Sequence, residues 1–153
     1  MVLAWLGWFF RGFDYKFSLS RIDEVQVKKF KNYPYPLIVT QDDHFYNFFT
    51  DPHYGIAPKI AVAFRNGKLK VITKITKKYF KSHDKLEKIT YPLDYEHQYQ
   101  LETILEKLAY YHYLHKHKKF VSTIKRYIKF KSKKDKKEFL QKFKELAKES
   151  PFW

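Results

Sequence analysis

Three groups of side chains in this 153-residue chain have the types and spacing that chemistry requires. Asp42, Asp43 and His44 are contiguous, and His83, Asp84 and Glu87 fall within five positions. Metal-dependent strand hydrolysis uses two or three convergent carboxylates to hold a divalent ion, with a Lys or His beside them to activate water. Each set also has a plain structural reading. Asp42 or Asp43 can cap a short helix, and Asp84 with Glu87 can form a solvated face paired to Lys85 and Lys88. The third group is His112, His115 and His117, of which His112 and His115 would share a helix face at a spacing of three. With no cysteine in the chain and no clearly placed acidic fourth ligand, a zinc set stays incomplete. The expectation is therefore no catalytic residue, no metal site and no cofactor. Phosphate-cradling glycine loops and a nucleophile elbow are missing from the sequence as well.

A fourth pattern is charge. The formal net charge is +15, yet residues 1–58 balance six Lys/Arg against six Asp/Glu, while residues 59–153 hold 25 basic and 10 acidic side chains. His115–Lys148 is the densest stretch, with 14 basic and three acidic residues. A neutral half joined to a strongly basic half is the signature of a scaffold carrying a polyanion-binding face. The expected nucleic-acid contacts are Lys116, Lys118, Lys119, Lys125, Arg126, Lys129, Lys131, Lys133, Lys134, Lys136 and Lys137, joined by Arg65, Lys68, Lys70 and Lys74. Most are Lys, a point charge without bidentate geometry, which favours backbone over base recognition. Tyr110, Tyr111, Tyr113, Phe120, Tyr127 and Phe130 could stack on unpaired bases, although most should pack inward.

These residues need elements to position them. Leu3, Leu6, Phe9 and Phe10 recur at helical spacing over residues 2–13, and Tyr15–Ile22 alternates as a strand. Leu37–Thr40 is a short strand, followed by a brief helix through Phe49. Lys59–Ile75 predicts a hairpin: Ile60, Val62 and Phe64 alternate, Asn66-Gly67 supplies a type I′ turn, and Leu69, Val71 and Thr73 alternate back. From Glu96 the pattern is helical through Leu101, Ile104, Leu105 and Leu108. A second helical stretch carries Val121, Ile124 and Ile128, and a third carries Phe139, Phe143 and Leu146 behind a Ser132/Asp135 capping box. The expected fold is a single α+β domain, with residues 1–95 as a mixed scaffold and 96–148 as a basic helical portion. Its mixed or antiparallel sheet contains a central hairpin (59–75) and is covered on one side by helices.

The string from Leu3 to Leu19, LAWLGWFFRGFDYKFSL, resembles the opening of organellar LAGLIDADG proteins, in which an apolar helix with small residues enters a Gly/Asp turn and then a strand. Leu37–Gln41 is similar to that family's second strand, and Arg65–Leu69 to a later strand pair. The resemblance implies an α+β fold and nucleic-acid partners. The family's helix ends in a metal-binding acid; here Arg11 and Phe13 occupy those positions and Asp14 is displaced by one residue. What the resemblance implies is thus a relative whose catalytic acids are lost.

The resulting expectation is a non-catalytic, sequence-tolerant RNA-binding part of a ribonucleoprotein, with an organellar ribosome as the setting. Such a protein would be intracellular, mitochondrial and not secreted, with neighbouring proteins on the neutral half and no small-molecule substrate. One alternative is a metal-dependent DNA nuclease of LAGLIDADG or viral type. Another is an accessory subunit of a membrane complex anchored through Trp5, Trp8 and Phe9, since Val2–Phe10 falls short of the about 20 apolar residues a spanning helix needs.

Overall fold

The computed structural model describes residues 25–48, 55–80, 86–93, 95–150 and Phe152. The expected helix over 2–13, the strand Tyr15–Ile22 and the motif-bearing stretch of the family resemblance lie outside the described residues.

The hairpin forms where Asn66-Gly67 requires it. Both residues have positive φ, 52° and 74°, the geometry that matches the twist of the flanking strands. Four strands, β1 (Gln26–Lys28), β2 (Leu37–Gln41), β3 (Lys59–Arg65) and β4 (Lys68–Val71), build an antiparallel sheet in the order β1-β2-β3-β4. The register pairs Lys28 with Leu37, Ile38 with Val62, and Ala63 with Lys70. The second hairpin strand ends at Val71. Thr73, expected to continue it, instead opens a single helical turn, α1 (Thr73–Thr76).

That exchange has a local cause. Where β4 stops, the buried Thr76 hydroxyl takes over as partner of β3, accepting from the Ala61 amide at 3.0 Å and facing the Ala61 carbonyl at 3.4 Å. The backbone of β3 is therefore satisfied without a longer β4.

The C-terminal part is helical: α2 (Gln98–Tyr113), α3 (His117–Tyr127) and α4 (Lys133–Glu149). Leu101, Ile104, Leu105 and Leu108 are buried at the predicted spacing. Ser132 accepts from the Asp135 amide at 3.1 Å, the first half of a capping motif. The basic stretch is not one helix. Ile128–Phe130 forms β6, which pairs in parallel with β5 (Ile89–Tyr91) and separates α3 from α4. The molecule is α+β with a helical C-terminal part, and no helix among the described residues is long and apolar enough to cross a membrane.

Both faces of the four-stranded sheet are covered. Ile60, Val62 and Ile38 on one face join Ile104, Leu108, Ile124, Phe139 and Phe143 of the helices in the main core. Leu37, Val39 and Ala61 on the other face pack with Ile75 of α1 and with Phe30 and Tyr33 from the β1–β2 connection. A sheet covered on one side only was expected; the second cover comes from a proline-punctuated connection and one helical turn, too short to register as layers in the sequence.

Candidate nucleic-acid interface

The fifteen cations expected to meet phosphate are all within the described residues, and all but the half-buried Lys116 are exposed. Eleven belong to the α3–β6–α4 segment. Helix α3 turns Thr123 and Ile124 inward, which leaves Lys118, Lys119, Lys125 and Arg126 in water. Strand β6 then buries Ile128 and half-buries Phe130, so alternation projects Lys129 outward. In α4, Phe139 and Phe143 define the inner face, while Lys133, Lys134, Lys136 and Lys137 crowd its first turns. Cations there oppose the helix dipole, whose positive end prefers anions. Asp135 is the acidic residue of the first turn, and it is tied to the Ser132 hydroxyl at 2.6 Å. The beginning of α4 is thus a site of concentrated positive potential maintained against its local electrostatic preference.

The other four cations stand elsewhere. Alternation along β3 puts Arg65 on the same face as Ala61 and Ala63, and the register puts Lys68 and Lys70 beside it. That is the α1 face of the sheet, not the face on which the large helices pack. Lys74 lies in α1 rather than in the ribbon. Arg65 donates to the Tyr33 hydroxyl at 3.0 Å and its guanidinium sits 5.8 Å from that ring's centre. Lys78 is 5.9 Å from the centre of the Phe30 ring. The sequence places all fifteen cations on one inventory; the fold distributes them over two sides.

Ion pairing leaves most of this charge available. Among the described residues, Lys134 is the member of the fifteen with a carboxylate in range, Glu138 at 3.7 Å. That pair is exposed at both ends and contributes little.

No match is found between this chain and any family model, curated protein or solved structure.

The carboxylate cluster that invited a metal reading is organised for a different task. Asp42 follows β2 and is completely buried. One carboxylate oxygen accepts from the His44 amide at 3.2 Å and from His44 Nδ1 at 2.8 Å. The other accepts from the Ser150 hydroxyl at 2.7 Å and from the Tyr113 hydroxyl in a short contact. Four donors occupy the roughly four lone-pair positions a carboxylate offers. Asp42, Asp43 and His44 do bring ligand atoms within 4.8 Å of one another, but a cation would have to displace donors from Asp42. Burial works to raise the Asp42 pKa; hydrogen bonds from His44, Tyr113 and Ser150, with the charge of His44, outweigh it and hold the carboxyl below its ordinary value. The His44 pKa is raised, chiefly by its hydrogen bond to Asp42. The cluster fastens the end of β2 to the end of α2 and to the residue after α4. In the second acidic group, His83 and Asp84 lie outside the described residues, and Glu87 is exposed.

The histidine pair is also separated. His112 lies in the last turn of α2, where burial, followed by the charge of His115, pushes its pKa down to about 4. His115 lies beyond the helix end with φ of 52°. There the His115 amide bonds the His112 carbonyl and the Lys116 amide bonds the Tyr111 carbonyl, the paired closure of a Schellman motif. The two rings therefore do not share a helix face. Of the aromatics expected near RNA, Tyr110 and Tyr113 are buried, and Tyr111, Phe120, Tyr127 and Phe130 are half-buried.

Phe30, Tyr33 and Tyr35 were not singled out by the sequence. Tyr35 is 67% exposed, and the available signal was the run from Lys28 to Pro36, where Lys and aromatic residues interleave between two strands.

Proposed function

We propose that this protein is a non-catalytic RNA-binding component of a ribonucleoprotein, engaging the phosphate backbone with little sequence preference. An organellar ribosome is the setting we propose, and RNA rather than DNA the partner. The observation that carries this reading is a set of fifteen cations, fourteen exposed, with a single carboxylate partner among the described residues. Unpaired surface Lys on this scale costs self-repulsion and is offset when phosphates displace their counterions. Lys recognises charge rather than base identity, so affinity should vary little with sequence.

The test is a titration of single-stranded RNA over a range of salt concentrations. Engagement of about six phosphates gives a log–log slope near −4, at ~0.7 per contact. Lys129→Ala or Lys133→Ala should each flatten the slope by less than about one unit and weaken all sequences alike. A shallow slope with strong discrimination between sequences would reject the reading.

The nuclease alternative meets a specific obstacle in Asp42, whose acceptor positions are filled by four protein donors. The membrane alternative rests on Trp5, Trp8 and Phe9, which lie outside the described residues.

A further inference from the structure

The cations divide into two groups, one on the helical segment whose apolar side joins Ile60 and Val62 in the main core, the other on the opposite face of the sheet. On one side is the α3–β6–α4 segment. On the other is the sheet face covered by α1 and the β1–β2 connection. On that face Lys28 stands opposite Leu37 and Ala63 opposite Lys70, placing a Lys on each edge strand with apolar residues on the strands between. The described stretches 25–41 and 55–80 contain ten Lys/Arg and no Asp or Glu. Lys28, Lys29 and Lys31 come from the half of the chain whose charges balance on paper, yet the fold sets them with the hairpin cations. Phe30 and Tyr33 turn inward onto this face, which leaves Lys29 and Lys31 exposed beside them. Tyr35, 67% exposed, offers an open ring at the same connection.

The sheet and the helix layer, each about 10 Å thick, separate these surfaces. The Debye length at physiological ionic strength is about 8 Å, so a phosphate on one side is largely screened from cations on the other. One short strand cannot neutralise both.

Resting on the RNA-binding reading above, we infer that the α1 face of the sheet is a second, independent RNA site, and that one molecule bridges two RNA segments. The helical surface binds by charge alone. The sheet surface combines charge with Tyr35 and Arg65, whose planar groups can stack on bases, and so takes an unpaired strand.

The experiment uses the full chain. An oligouridine of about 12 nucleotides is immobilised, loaded with protein, and offered a second, fluorescent copy of the same probe. Wild type should recruit the second strand with a stoichiometry of two RNAs per protein. Lys28→Gln/Lys70→Gln/Lys74→Gln should still bind the immobilised strand, yet lose recruitment at least tenfold. Lys125→Gln/Lys129→Gln/Lys133→Gln should do the same from the other side. These positions are exposed, and a thermal melt of each variant establishes that it is folded. A mixture of the two variants should not restore recruitment, because each bridge needs both surfaces in one molecule. Restoration by the mixture would overturn the inference, as would one-to-one binding by wild type or recruitment unchanged in both variants. Failure of wild type to bind any RNA would defeat the proposed function itself, and the bridge with it.

Discussion

Two histidines bias the stability of this protein in opposite directions, and the signs follow from their surroundings. The folded-state pKa of His44 is raised above its ordinary 6.5, first by the hydrogen bond to Asp42 and further by the charges of Asp42, Asp43 and Glu149. A raised pKa means stabilisation that is fully present below pH 6.5 and is lost as pH rises through the raised value. His112 is depressed to about 4 because its half-buried ring is costly to charge. Its contribution is present above pH 6.5 and declines as pH falls towards 4. Asp42 behaves in the usual carboxylate sense, contributing above its ordinary 3.8 and failing only in stronger acid. Denaturant melts across this pH range should separate the two histidines. The stability gap between wild type and His44→Gln should be widest below pH 6.5 and narrow above it. His112→Gln should lose less stability than wild type between pH 6.5 and 4. Parallel curves for wild type and both variants would show that neither ring senses its neighbours.

Local elements were legible where one short signal settles the conformation. Asn66-Gly67 set the hairpin, Ser132 and Asp135 set the start of α4, and Leu101 to Leu108 set the buried face of α2. The strand–helix choice at Ile128–Phe130 was not legible. Ile128 continues the helical spacing of Val121 and Ile124, and only the distant partner Ile89 makes an extended conformation preferable. Thr73 illustrates the same limit, since alternation alone continues β4 through it. The chain leaves the strand because Thr76 can return to Ala61, a contact 15 residues apart. The candidate site divides likewise. Its cations could be counted from the sequence, and alternation already set Arg65, Lys68 and Lys70 on the face opposite Ile60, Val62 and Phe64; that this face is also covered depended on α1 and the β1–β2 connection. Thr76→Val keeps the shape and removes the hydroxyl, leaving the buried Ala61 amide without that acceptor. Chemical denaturation should show a loss of about 1–3 kcal/mol. A neutral result would mean that β4 can extend to replace the hydroxyl.

At the scale of the whole molecule, charge and stability are coupled. A net charge of +15 on 153 residues acts against the compact state through self-repulsion, and salt relieves this by screening exposed cations from one another. On the proposed function, salt acts on RNA binding with the opposite sign, since counterion release loses its advantage as the bulk concentration rises. The free protein should therefore melt higher as salt increases from low to physiological ionic strength, while the stabilisation conferred by RNA shrinks. At low salt, RNA held at 100 times its Kd should add about 2.7 kcal/mol. For a chain of this length that corresponds to a Tm increase of roughly 5–10 °C, at about 2–4 °C per kcal/mol. Thermal melts with and without oligouridine at two salt concentrations test both halves at once. On the proposed reading the shift comes from polyanion binding rather than base identity, so an oligomer of unrelated sequence should give nearly the same increase. An RNA-induced shift that grew with salt would exclude phosphate neutralisation as its cause and leave stacking on rings such as Tyr35 to account for it.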